Sequence, residues 1–108
     1  MLDMKANFTL GKERMPVSGR TGPVLMQLRE ALDIKQADAA SRACLSPVAV
    51  SRMENGLTCS ASDNYEREAE ALGLDYALVI SLAAALAQRN AFVLTRQEIA
   101  LALAARRL

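Results

Sequence analysis

The sequence predicts an all-α fold, and three observations carry that prediction. Hydrophobic residues make up 52% of the chain, yet it has only two Phe, two Tyr and no Trp, so the core is built from Ala and Leu. Apolar residues recur at three- and four-residue spacing in successive segments after residue 23. Helix-start signals stand at Ser46-Pro47, at Asp75 and at Thr95 to Glu98. With 108 residues the chain is one small domain. A domain of that size buries only part of its surface, so help from a partner subunit is expected.

Residues 1–22 read as an N-terminal arm. They mix apolar residues with Lys5, Lys12, Arg14 and Arg20 and hold three of the five Gly, with no sustained period. Such a segment is either a tail that touches nothing specific, a basic arm laid along nucleic-acid phosphates or in a groove, or an arm whose Phe8, Leu10 and Met15 pack on a second subunit. Thr21-Gly22-Pro23 opens the first helix, with Val24, Leu25, Leu28 and Leu32 on one apolar face. Asp33-Ile34-Lys35 links it to the next.

Residues 36–55, QADAASRACLSPVAVSRMEN, read as two short helices joined by a tight turn. Ala39, Ala40, Ala43, Leu45, Val50 and Met53 fall where two crossed helices face each other and the core. Ser46 can accept a free amide hydrogen bond and Pro47 loses nothing at a first helical position, so a new helix begins at Pro47. Its outward face carries Pro47, Val48, Ser51, Arg52 and Asn55, groups suited to a base edge or a phosphate. After Gly56, the loop 57–60 leads into a fourth helix, roughly Ser62 to Leu72, closed by Gly73 in a left-handed cap. That helix is acidic through Asp63, Glu66, Glu68 and Glu70, and is expected to face solvent or a basic partner.

From Asp75 the pattern turns strongly apolar, with Leu78, Val79, Leu82, Ala83 and Leu86 buried in a fifth helix. Thr95 and Glu98 form a capping box that starts a sixth, running to about Arg107, where Arg106 and Arg107 complement its dipole. Residues 75–108 are more apolar than one small core needs. The preferred reading is a homodimer interface of Leu82, Leu86, Phe92, Val93, Ile99 and Leu103. The alternative is that the last helix folds back on its own subunit.

The 36–56 block resembles the helix-turn-helix of the phage repressor and Cro family, also called the Xre family. The resemblance rests on Gln36, Ala40, Ser46, Val50 and Glu54-Asn55-Gly56, and with flanking helices it covers roughly residues 23–80. It implies a five-helix repressor-like core to which the last helix is an addition, with residues 23–74 as the helix-turn-helix DNA-binding part. It also implies a buried ion pair between Arg29 and Glu54, and a Gln36 side chain near the DNA backbone or reaching towards the recognition helix and a base. Where the family commonly has Gly in the turn, this chain has Cys44, at a cost of roughly 1 kcal/mol if its φ is positive. Where the family commonly has a Ser or Thr cap on the second helix, it has Lys35, leaving an end that either a DNA phosphate or water must satisfy. Large aliphatics are usual where Ser62 and Glu68 stand.

These features predict a sequence-specific DNA-binding transcriptional regulator, and the resemblance implies a repressor, acting as a homodimer on a near-palindromic operator. Its DNA contacts are expected from Lys35, Gln36, Ser46, Pro47, Val48, Ser51, Arg52, Asn55 and Thr58. Arg52 takes either guanine O6 and N7 together or a phosphate. The second prediction is an antitoxin-like module that binds a partner protein through the acidic helix or the apolar tail. The formal charge is only +1, but residues 1–59 carry eight Lys and Arg against six Asp and Glu, and residues 60–108 five against six, so the basic excess sits with the motif. No catalytic set is legible, since there is no His, no paired-cysteine site and no Gly-rich phosphate loop. No metal or cofactor is expected. Cys44 and Cys59 are expected reduced in a cytoplasmic protein, and the longest apolar run, Tyr76 to Ala87, is too short for a membrane span.

Overall fold

The computed structural model describes residues 17–57 and 62–107, and these contain α1 (Val17–Ala31), α2 (Gln36–Ala43), α3 (Pro47–Glu54), α4 (Ser62–Ala71), α5 (Tyr76–Gln88) and α6 (Arg96–Ala104). The fold is all-α, with no strand among the described residues, and it carries the expected extra C-terminal helix. α1 is the hub: it packs most extensively on α5 and also on α3, α4 and α6, while α2 rests on α3 and α4. Val24, Leu25 and Leu28 of α1 meet Leu72, Val79, Leu82 and Leu86 in one core. Complete burial of such a side chain contributes about 1.5–3 kcal/mol, and Leu25, Leu28, Leu72 and Leu86 are all fully buried.

The helix ends follow the sequence signals closely. Asp75 Oδ1 accepts from Ala77 N at 3.0 Å, and Gly73 adopts φ 74° after α4. Thr95 Oγ1 accepts from Glu98 N at 3.1 Å while Glu98 Oε1 accepts from Thr95 N at 2.8 Å, which completes the capping box. Arg89 adds a forked pair to the same carboxylate, at 2.7 and 2.8 Å. Together these hold Glu98 well down, at about 2, with the Arg89 hydrogen bond the largest cause.

Two expectations are corrected. α1 starts at Val17, not at Pro23, so residues 17–22 belong to the helix; residues 1–16 lie outside the described residues. Pro23 therefore sits inside α1, where it lacks the amide that a helix interior would use. Burial of Arg20, Thr21 and Gly22 anchors these early turns by tertiary contact. The second correction concerns the tail. Leu82 and Leu86 are 5% and 0% exposed, taken up by the chain's own core, and so are unavailable to a partner. Ile99 and Leu103 are half-buried against that core, because α6 folds back onto α1 and α5. α6 ends at Ala104, and the arginines beyond it reach the residues that follow α4: Arg106 Nε donates to Leu72 O at 2.7 Å and Arg107 N to Gly73 O at 2.8 Å. Phe92 and Val93 stay exposed, at 43% and 75%, as does Leu101 at 56%. No single helix among the described residues is long and apolar enough to cross a membrane.

Candidate nucleic-acid interface

The turn between α2 and α3 is built as the spacing demands. Cys44 adopts φ 59° and ψ 40°, the left-handed conformation that closes α2, and Leu45 N donates back to Ala40 O at 2.9 Å. The strain anticipated for a side chain there is present. Ser46 then caps α3 by accepting from Ala49 N at 3.1 Å, with Pro47 at the first helical position. The Ser46 hydroxyl thus has a structural task whatever else it touches.

Behind α3 lies a lock. Arg29 of α1 forks onto Glu54, Nε to Oε2 at 2.9 Å and Nη2 to Oε1 at 3.0 Å, and its Nη1 donates to Ile34 O at 2.7 Å. Gln36 Nε2 adds a third bond to Glu54 Oε1 at 3.0 Å. Burial opposes charge on Glu54, but hydrogen bonding, with Arg29 and Gln36 among the donors, outweighs it and holds its carboxyl below the usual range. The Arg29–Glu54 pair is therefore as the resemblance implied. Gln36 reaches the recognition helix, but it does so to grip Glu54.

The outer face of α3 is open. Pro47, Val48, Arg52 and Asn55 are exposed and Ser51 is half-buried. The Arg52 side chain makes no ion pair or hydrogen bond among the described residues, so its fork is available. Val48, 66% exposed, presents only methyl groups, and Asn55 Nδ2 is occupied by Ser51 O at 2.8 Å. Lys35 is exposed, and its side chain makes no cap bond to α2. The first turn of α2 thus has free amides next to a cation, a combination that suits a phosphate. Thr58 lies outside the described residues. α6 packs on α1 and α5, so the C-terminal tail leaves this face uncovered.

Three structural residues escaped the sequence reading. Gly22 is where α1 crosses the end of α3: a Cβ there would lie 1.6 Å from Met53 O. Its position seven residues before Arg29, hence on the same helix face, is the signal that could have found it. Glu68 is fully buried, whereas Asp63, Glu66 and Glu70 are exposed. That corrects the solvent-facing assignment for this one acid of α4. Tyr65, Glu68, Ala69 and Leu72 share the apolar spacing of a buried face, which its acidic neighbours mask. Burial first, then the hydrogen bond and charge of Glu54, push the Glu68 carboxyl up to about 10. The third is Gln27, which binds the α5–α6 link through Phe92 O at 2.7 Å and Leu94 N at 2.7 Å.

No group of three or more His, Cys, Asp or Glu among the described residues could hold a metal ion. No curated protein and no solved structure matches the chain. The family described as Helix-turn-helix matches residues 25–79, just over half of the chain and the span from the core of α1 into α5. With its capped turn, locked recognition helix and open outer face, the chain belongs to the Cro/Xre-type helix-turn-helix family of DNA-binding transcription regulators.

Proposed function

We propose that this regulator is a repressor that binds a near-palindromic operator as a homodimer, with two copies of α3 in successive major grooves about 34 Å apart. The observation that carries the reading is Arg52: exposed on α3 and without a partner among the described residues, beside a Glu54 whose charge is neutralised internally. The positive charge on the outer side of the helix is thereby left to DNA. Lys35 and the first amides of α2 hold a phosphate, Val48 and Pro47 meet a thymine methyl, and Ser51 serves a base or a phosphate. Residues 23–74 form the DNA-binding unit. Residues 75–108 supply the dimer contact through Phe92 and Val93, joined by Leu101 in place of the buried Leu82 and Leu86.

A protein partner is the second reading, favoured by those same exposed apolar residues. One titration separates the two. Duplexes carrying the region upstream of the protein's own coding sequence, each with one base pair replaced, are titrated with the protein and with Arg52→Ala. The expected result is two chains per duplex, affinity that falls steeply with salt, and a loss of about 1–3 kcal/mol confined to one position in each half-site. Equal weakening on every duplex makes Arg52 a phosphate contact. No binding at low ionic strength removes the regulatory reading and leaves the partner protein.

A further inference from the structure

The buried charges behind α3 do not balance if every group is ionised. Arg29 brings one positive charge, and its fork is spent on Glu54. Glu54 is fully buried and already accepts from Arg29 and Gln36. Glu68 comes from α4, is also fully buried, and lies where the Glu54 carboxyl acts on it directly. Among the described residues, no donor is offered to either of its carboxyl oxygens. Two carboxylates cannot hydrogen-bond each other, and a second negative charge sealed next to the first would have no counter-ion. A proton on Glu68 removes both difficulties at once: the acid becomes a donor, and Glu54 becomes its acceptor.

We propose that Glu68 enters the fold as a neutral acid and donates its proton in a hydrogen bond to Glu54, making it a positioning residue that ties α4 to the recognition helix. The Arg29–Glu54 pair joins α1 to α3; Glu68 extends it to a fourth helix. Gln36 supplies α2. The network thus gathers every helix of the DNA-binding unit on one carboxylate, at the last residue of α3. Charged groups that act on Glu68 are Glu54 from α3 and Arg29 from α1, and α2 contributes only the uncharged Gln36 amide, which it gives to Glu54.

A neutral acid in the folded state, ionised once unfolded, links folding to pH. Between the ordinary carboxyl range and its own elevated value, the folded chain holds one proton more than the unfolded chain, so stability falls as pH rises. The chain makes this linkage unusually easy to see, because it has no His. From about pH 5.5 to 7.5 its ordinary carboxyls are already ionised in both states, and thiols and lysines titrate higher. The α-amino group begins to titrate only at the top of that window, so a slope that runs through the whole of it belongs to a displaced carboxyl.

The test is denaturant unfolding of the full chain at half-unit steps from pH 5.5 to 7.5, with Glu68→Gln alongside. The wild-type unfolding constant is expected to rise about tenfold per pH unit, the signature of one proton. Glu68→Gln keeps a donor for Glu54 and cannot ionise, so its constant is expected to stay flat. In parallel, the side-chain carboxyl carbon of Glu68 is followed by nuclear magnetic resonance in the wild type, where it should keep the shift of an un-ionised acid throughout. A flat wild-type profile, a slope that survives in Glu68→Gln, or a carboxylate shift at pH 7 would each overturn the assignment. If Glu68→Gln does not fold, the wild-type slope and resonance decide.

Discussion

The two sides of α1 are fastened by different chemistry. Gln27 and Arg29 stand two residues apart and therefore on nearly opposite faces of the helix. Arg29 fastens α1 to the recognition helix through a buried charge pair with Glu54, at 2.9 and 3.0 Å. Gln27 fastens it to the link between α5 and α6 through backbone groups alone, accepting from Leu94 N and donating to Phe92 O. Arg20 reinforces that second side, with Nε donating to Ala91 O at 2.8 Å and its guanidinium 4.3 Å from the Phe92 ring centre. A charge pair is geometrically strict and fails badly when halved, because the remaining ion is left desolvated. An amide latch is weaker and fails locally. Strictness lies where a helix must be aimed at DNA, and tolerance where a tail need only be held down.

The largest effect should come from halving the pair. Arg29→Ala leaves Glu54 buried with the Gln36 amide and Glu68 as its remaining partners, and is expected to cost about 3–5 kcal/mol, read as the shift in calorimetric unfolding at pH 7. Arg29→Lys should rescue little of it, because a single ammonium cannot reproduce the fork on both carboxylate oxygens together with the bond to Ile34 O. Equal stability of the lysine variant and the wild type would mean that charge alone, and not the fork, holds α3.

Gln27→Ala should cost less, about 1–3 kcal/mol, as the Leu94 amide loses its partner at a half-buried site. The more telling measurement is where the loss appears. Hydrogen exchange should quicken in α6 and in the α5–α6 link, while the amides of α3 keep their protection. If α3 loosens equally, the two sides of α1 behave as one cooperative unit and the contrast between them disappears.

How far each side could be read from sequence follows from the same chemistry. The ion pair, the Ser46 cap, the left-handed Cys44 and the capping box of Thr95 and Glu98 all depend on fixed short spacings or on a family pattern, and all are present. The Gln27 latch joins residues 65 and 67 positions apart, and no local period encodes it. The start of α1 was misplaced because Pro23 imitates a helix opening, while burial of Arg20 and Gly22 actually decides the matter. The tail was misread for a related reason. Its apolar surplus is real, but whether Leu82 and Leu86 face a partner or their own core depends on how α6 returns over α1, a choice made by tertiary packing. The resemblance marks the place of Glu68 as one for a large aliphatic, but the exposed acids around it on the same helix mask its burial.

The smallest effect runs in the opposite direction. On the α3 side of α1, Cys44 holds φ 59° with its side chain exposed, so it bears the cost of a left-handed residue without any burial to offset it. Cys44→Gly removes that cost and should stabilise the fold by about 1 kcal/mol, or roughly 4–8 °C in Tm for a domain of this size. Glycine also gains freedom in the unfolded chain, which opposes the benefit. The sign of the measured shift therefore weighs strain against entropy at this one turn. Since neither term touches the lock at Glu54, salt-dependent DNA affinity should be unchanged. An altered affinity would mean that the turn, and not the Arg29–Glu54 pair, sets the pose of α3.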